Sequence, residues 1–408
     1  MKIKLWETKQ LDEVATFSSG GTPSKEESNY WEGDYPWVSA KDMKSFSIKD
    51  AGLKLTPEGL AMAKIAKKGS VLVLVRGMTL LKDLPVGYVE RDVAFNQDIK
   101  ALVAKSGVSG LFLAYALIAN KNRILNLVNV AGHGTGRLDT TLLKEFPIDL
   151  PPLLEQCRIA EMLGVWDESI DLLEKLIGRV RSRKQGLMQQ LLTGKKRFKE
   201  FEGSDNRQKT LYGSLPSDWK YIPIADIAQE YSTKNKQAND LTVLSCSKYK
   251  GLVNSLEYFG KQVFSEDTST YKIVKYGMFA YATNHIDEGS IGYQNLCDKA
   301  LISPMYTVFK TDSNRVHDLF LYSVLKTEYY RQIFSINTSA SVERRGSLRW
   351  KDFSKIKVPL PSIAEQEKIA AVLSAADEEI STLEKQLAAY KQQKLGLMQQ
   401  LLTGRIRI

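Results

Sequence analysis

The side chains best suited to recognition in this 408-residue chain are arginine, asparagine, lysine and histidine in polar, glycine-bearing loops. In the first half they are Arg76, Lys82, His133 and Arg137; in the second they are Asn284, His285, Arg344, Arg345 and Arg349. Arginine offers two parallel donors that match N7 and O6 of guanine, and asparagine pairs a donor and an acceptor with N7 and N6 of adenine. Lysine and histidine suit phosphate oxygens, which position a protein without reading sequence. Thr22 and Ser24, in the loop Gly20-Gly21-Thr22-Pro23-Ser24, add hydroxyls. The chemistry expected of these residues is hydrogen bonding to base edges and phosphates, with no bond made or broken.

Bond-making constellations are missing from the sequence pattern. Asp34-Tyr35-Pro36-Trp37 approaches the Asp-Pro-Pro-aromatic motif of an amino-methyltransferase, but Tyr35 stands where the first proline belongs. Phe17-Ser18-Ser19-Gly20-Gly21 lacks the Phe-x-Gly-x-Gly spacing of a cofactor turn, and Gly194-Lys195 has no upstream glycine to complete a phosphate loop. The histidines His133, His285 and His317 have no second ligand at metal spacing, and Cys157, Cys246 and Cys297 form no Cys-x-x-Cys pair. No catalytic residue and no metal ligand is assigned, and no cofactor is expected on this chain.

The elements that must position the recognising residues come from a repeat. The segment GLMQQLLTG stands at 186–194 and again at 396–404, a shift of 210. In that register 23 of the 48 positions from 151 to 198 are identical. Each copy carries an apolar seam with spacings that alternate four and three. The first seam is Ile159, Leu163, Trp166, Ile170, Leu173, Ile177, Val180, Lys184, Leu187, Leu191. The second is Ile369, Leu373, Ala376, Ile380, Leu383, Leu387, Tyr390, Lys394, Leu397, Leu401. Such periodicity predicts two long helices that pair as a coiled coil. Lys184 and Lys394 interrupt the stripe at one matching place and would fix register. Ser362-x-x-Glu365 predicts a capping box, and Gly194 and Gly404 predict helix ends. Arg181, Arg183, Lys184, Lys195, Lys196 and Arg197 form a basic run suited to phosphates, and the leucines of the LMQQLLTG segments suit a docking surface.

The rest repeats more faintly. Trp6 corresponds to Trp219, Gly69–Val73 to Gly277–Tyr281, Leu111-Phe112-Leu113 to Leu319-Phe320-Leu321, and Lys144-Glu145-Phe146 to Lys351-Asp352-Phe353. Short apolar runs at 71–75, 99–103, 241–244 and 306–309 predict strands. The expected fold is α+β, with two similar globular α/β domains joined by two long antiparallel coiled-coil helices in a pseudo-two-fold repeat. Its expected parts are a first domain at 1–150, a central helix at 151–194, a charged connector at 195–215, a second domain at 216–360 and a terminal helix at 361–408. About 36 helical residues would span roughly 50 Å, against ~34 Å for one turn of duplex DNA.

Composition agrees with a folded chain that favours polyanions. Apolar residues make up 43 %, charged residues 25 %, and the net charge is +10 with a pI of about 9.2. The excess is spread thinly, so a polybasic tail is not its source. The N-terminus lacks an apolar signal core, and the longest apolar stretch, near 111–119, falls far short of the ~20 residues of a spanning helix. A cytoplasmic location without membrane partners is expected.

On these residues the chain resembles the specificity subunit of type I restriction–modification systems, often called HsdS. The resemblance rests on Gly20–Ser24, Tyr30-Trp31-x-Gly33, Tyr35-Pro36-Trp37-Val38, Arg76-Gly77 and Phe95-Asn96-Gln97-Asp98 in the first half. It continues in the Pro-Leu-Pro-x-x-x-Glu-Gln run at 359–366 and in the twice-written LMQQLLTG. The second half departs from the pattern, with Asn284 near the place of Arg76 and Ile302-Ser303-Pro304 near that of Phe95-Asn96-Gln97. The resemblance implies two target-recognition domains that each read half of a split, asymmetric sequence in double-stranded DNA. It implies coils that set the spacer and dock two methyltransferase subunits, which would use S-adenosylmethionine, with restriction or translocase subunits added. The chain itself would be non-catalytic. Self-association of the isolated chain is left open.

Overall fold

A computed structural model describes residues 6–130, 134–203, 206–237, 240–339 and 347–408. The chain divides into two compact units. The first holds residues 1–174 and 385–408, and the second holds residues 175–384. Both boundaries cross the long helices, so each unit contains one globular head and one half of each helix.

In the first head, the run Val71-Leu72-Val73-Leu74 is buried on both faces, as expected of a central strand. It lies between Ile99–Ala104 and Val86–Val89 in a five-stranded sheet. The helix Gly110–Ala119 covers that sheet and buries six consecutive residues, Phe112 to Leu117. A second sheet runs in the order Leu53–Leu55, Trp31–Val38, Val93–Phe95, Ile65–Ala66, with one parallel pair, Val93–Phe95 on Trp31–Val38. Glu7–Gln10 pairs with Pro147–Leu150 and closes the head.

The second head repeats this plan. Phe279–Ala282 is its central strand, flanked by Tyr306–Thr311 and Ile291–Tyr293. Its second sheet runs Gly251–Asn254, Val243–Ser247, Lys299–Ile302, Lys272–Lys275, again with one parallel pair at the same place. Lys220–Pro223 pairs with Lys357–Leu360. The connector expected at 195–215 carries structure of its own: a hairpin of Arg207–Thr210 and Gly213–Pro216, whose Leu215 is fully buried.

The two long helices are Leu153–Leu191 and Ile363–Leu401, each 39 residues. Every residue of the two seams is buried or half-buried except Tyr390, while off-seam Val165 and Leu172 stay exposed. Within each unit the helix halves run antiparallel. In the first, Asp167 meets Lys394 and Glu174 meets Lys391; in the second, Asp377 meets Lys184 and Glu384 meets Arg181. These are the same two contacts, related by the shift of 210. The lysines that interrupt the seam therefore answer an aspartate of the facing helix. Gly194 and Gly404 end the helices at φ 61° and 68°, in the left-handed region that suits glycine.

The Glu-Gln pair at each helix start fixes the helix to its head. Gln156 Oε1 accepts from the Ser109 amide at 2.9 Å and its Nε2 donates to the Pro151 carbonyl at 2.8 Å. Gln366 does the same with His317 and Pro361. Glu155 binds Arg407, and Glu365 binds Arg197. This corrects the capping box: the Ser362 hydroxyl does accept from the Glu365 amide at 3.3 Å, but the Glu365 carboxylate turns to Arg197 and to the Trp219 indole. A buried carboxylate is stabilised more by a guanidinium than by one exposed amide.

Candidate nucleic-acid interface

In the first head the chain leaves its buried central strand at Val75 and immediately forms an exposed ribbon. Three short strands make it up, in the order Val128–Val130, Gly136–Leu138, Arg76–Gly77. The register sets Arg137 directly opposite Arg76 on one side and Asn129 on the other. Residues directly opposed in an antiparallel pair share a face, with Cβ atoms about 4.5–5.5 Å apart. Asn129, Arg137 and Arg76 thus form one row, and all three are exposed.

Two glycines make the ribbon possible. Gly77 sits at φ 147°, a conformation L side chains rarely adopt. A Cβ on Gly136 would lie 2.8 Å from the Leu80 Cβ, so only glycine lets the ribbon rest on the turn Met78–Leu81. That turn ends at exposed Lys82, beside the ribbon. The row carries two like charges face to face, which costs stability in a sheet. Among the described residues neither arginine has an ion pair within 4 Å. The nearby Asp139 is committed to capping the Thr140–Lys144 helix through the Thr141 amide at 2.7 Å. Its carboxyl is held below the usual range first by that bond, and Arg137 contributes least.

Thr22 and Ser24 take a different place. Thr22 donates to Gln97 Oε1 at 2.7 Å, and the Ser24 hydroxyl accepts from the Glu26 amide at 3.3 Å. The indoles of Trp37 and Trp31 donate to the carbonyls of Gly21 and Ser24. A Cβ on Gly20 would come within 2.2 Å of the Asn96 carbonyl. The Gly-Gly-Thr-Pro-Ser loop is pinned to the second sheet as framework, although both hydroxyl residues remain exposed.

The second head repeats the exit with other side chains. The Leu348 amide donates to the Thr283 carbonyl at 2.8 Å, just as Leu138 donates to Val75 at 2.9 Å. Asn284 therefore occupies the place of Arg76, and Ser347 that of Arg137. Arg349 begins the helix Trp350–Phe353 where Asp139 begins its own. Asn284 and Arg349 line one cleft of about 600 Å³, with Glu230, Lys272, Tyr306 and Trp350. Burial draws the Lys272 ammonium below the ordinary lysine range against the pull of Glu230, and it donates to the Tyr306 carbonyl at 2.6 Å. His285 is exposed and faces Glu288 across 3.3 Å. His133, Arg344 and Arg345 lie outside the described residues.

Four members of the basic run are ion-paired, Arg181, Arg183, Lys184 and Arg197 with Glu384, Glu379, Asp377 and Glu365, while Lys195 and Lys196 are exposed. The leucines proposed as a docking surface are turned inward. Leu191 and Leu401 are buried in the cores of their units, with Leu187 and Leu397 packed against them. Apolar residues at a helix end adjoining a head gain more by completing that core than by waiting for a partner.

Sequence reasoning missed Asn129, because nothing in Leu127-Val128-Asn129-Val130 marks it apart from its cross-strand partner. It also missed the Glu–Arg latches, although Arg197 and Arg407 are identical in the repeat. Among the described residues there is no cluster of three or more potential metal ligands, and no helix is long and apolar enough to cross a membrane.

Two α/β heads of one topology, each closed by antiparallel helix halves and each carrying a polar exit beside its central strand, define a duplicated α/β protein. The type I restriction modification DNA specificity domain matches this chain twice, at residues 3–181 and 216–390. The chain belongs to that family. The specificity subunit of the type I restriction enzyme MjaVIII of Methanocaldococcus jannaschii is 24 % identical, covering 99 % of this chain and 93 % of the relative. The EcoR124I/EcoR124II specificity subunit of Escherichia coli is 30 % identical over a shorter span, 40 % of this chain and 41 % of the relative. The S subunit of a type I restriction–modification system from M. genitalium has the same fold. It has a TM-score of 0.63 at 18 % identity, covering 98 % of this chain and 96 % of the other.

Proposed function

We propose that this chain is the DNA-reading, non-catalytic subunit of a type I restriction–modification complex. Head 1–150 reads one half of a split asymmetric site and head 216–360 reads the other. The paired helices set the spacer and carry methyltransferase subunits, which supply S-adenosylmethionine chemistry, and restriction subunits complete the assembly. The observation that supports this reading most strongly is the exit beside the central strand. Both heads place exposed or half-exposed polar side chains at equivalent positions there, yet the residues differ: Arg76 and Arg137 in one, Asn284 and Ser347 in the other. A shared framework with unlike readers is what an asymmetric site requires. Lys82, His285 and Arg349 lie close enough to these exits to serve as phosphate contacts, while Thr22 and Ser24 serve the framework. Docking of the partners falls to exposed helix faces, since Leu187, Leu191, Leu397 and Leu401 serve the cores. Methylome sequencing of cells with and without the gene tests the proposal. One split, asymmetric adenine-methylation motif should disappear on deletion; an unchanged set of motifs would refute it.

A further inference from the structure

We infer that Asn129, unassigned until now, is a base-reading residue, and that the row Asn129–Arg137–Arg76 enters the major groove as a unit. This rests on the reading of the chain as a DNA-sequence reader and deepens it.

The row crosses three strands. With about 4.8 Å between neighbouring strands its ends are roughly 10 Å apart, close to three base-pair steps at ~3.4 Å each. A major groove about 12 Å wide admits a two-stranded β-ribbon; Gly136–Leu138 paired with Arg76–Gly77 is such a ribbon, and Val128–Val130 flanks it. On the opposite face of the ribbon Leu138 and Gly136 are buried, Val128 packs against the core, and the exposed Val130 is apolar and offers no side-chain hydrogen bond. All reading capacity is therefore on the face that carries the row. Its chemistry is specific: asparagine matches the N6 and N7 edge of adenine, and each arginine matches the O6 and N7 edge of guanine. Asn129 makes no side-chain hydrogen bond among the described residues, so its amide is ready for a ligand. The geometry points to a first half-site that contains an adenine beside one or two guanines, read from the major groove.

The experiment is selection of duplexes from a randomised pool by the full chain, unaltered and as Asn129→Ala. The unaltered chain should select two separated blocks. Asn129→Ala should lose a roughly 5- to 150-fold preference for adenine at one position of one block and leave the other block intact. Replacing that adenine by 7-deazaadenine, which lacks N7, should weaken the unaltered chain and leave Asn129→Ala unaffected. An identical motif from both proteins would overturn the inference. So would a variant that weakens every duplex equally, which would make Asn129 a phosphate contact. If the unaltered chain selects no motif, the broader reading fails first and this inference falls with it. Asn129 is exposed, so thermal unfolding of the variant should match that of the parent.

Discussion

The two heads share one backbone plan and differ where it opens to solvent. The order of the shared strands, the parallel pair in the second sheet and the closing antiparallel pair recur in both, while the first head adds Ser47–Ile48 in parallel on Val86–Val89. At the exit from the central strand, the first head shows two arginines and an asparagine on a three-stranded ribbon, and the second shows an asparagine and a serine beside a cleft. Cores tolerate change only when volume and pattern are kept, whereas an exposed row is free to vary. The contrast teaches that selection for folding and selection for target act on different atoms of the same strand pairs. The helix junctions differ in a second way. Arg197 and Glu365 are 10 % and 1 % exposed, and Arg197 also holds Asp218; Arg407 and Glu155 are 34 % and 8 % exposed. The Trp219 indole donates to Glu365 at 3.1 Å, while the buried Trp6 indole nitrogen has no hydrogen-bond partner among the described residues.

That asymmetry gives the largest expected effect. Glu365→Ala leaves the buried Trp219 indole N–H without its acceptor and Arg197 with Asp218 alone, and should cost about 2–4 kcal/mol. Glu155→Ala, with a more exposed partner, should cost about 1–3 kcal/mol. Denaturant unfolding of the full chain compares them, and equal losses would erase the distinction between the junctions. Next comes recognition. Giving the first head the second's side chains, Arg76→Asn with Arg137→Ser, should remove guanine preference from one block, about 1–3 kcal/mol per base. The other block should stay as it was. A change in both blocks, read by duplex selection, would break the assignment of one head to one block.

The smallest effect concerns the seam lysines. Lys394 pairs with Asp167 and lies over the rings of Tyr115 and Phe46 at 5.2 and 5.7 Å; Lys184 pairs with Asp377, has no ring beneath it among the described residues, and is more exposed. Lys394→Ala should destabilise more than Lys184→Ala by about 1 kcal/mol. Equal unfolding midpoints would show that the two interruptions are energetically alike.

Much of the architecture follows from local pattern. A seam repeating every 3.5 residues and a gapless shift of 210 are properties of the chain itself, so they determined two long paired helices and a duplicated fold before any contact was known. The motifs of the first head likewise pointed to the family. What tertiary structure decided was the fate of individual side chains. Arg76 and Arg137 are 61 positions apart, and only an antiparallel register sets them side by side and adds Asn129. Arg181 and Arg183 read as free charge until a helix about 200 positions away supplies Glu384 and Glu379. Exposure and pairing depend on partners distant in sequence, and the register that brings them together is set by burial of whole faces, which no single residue announces.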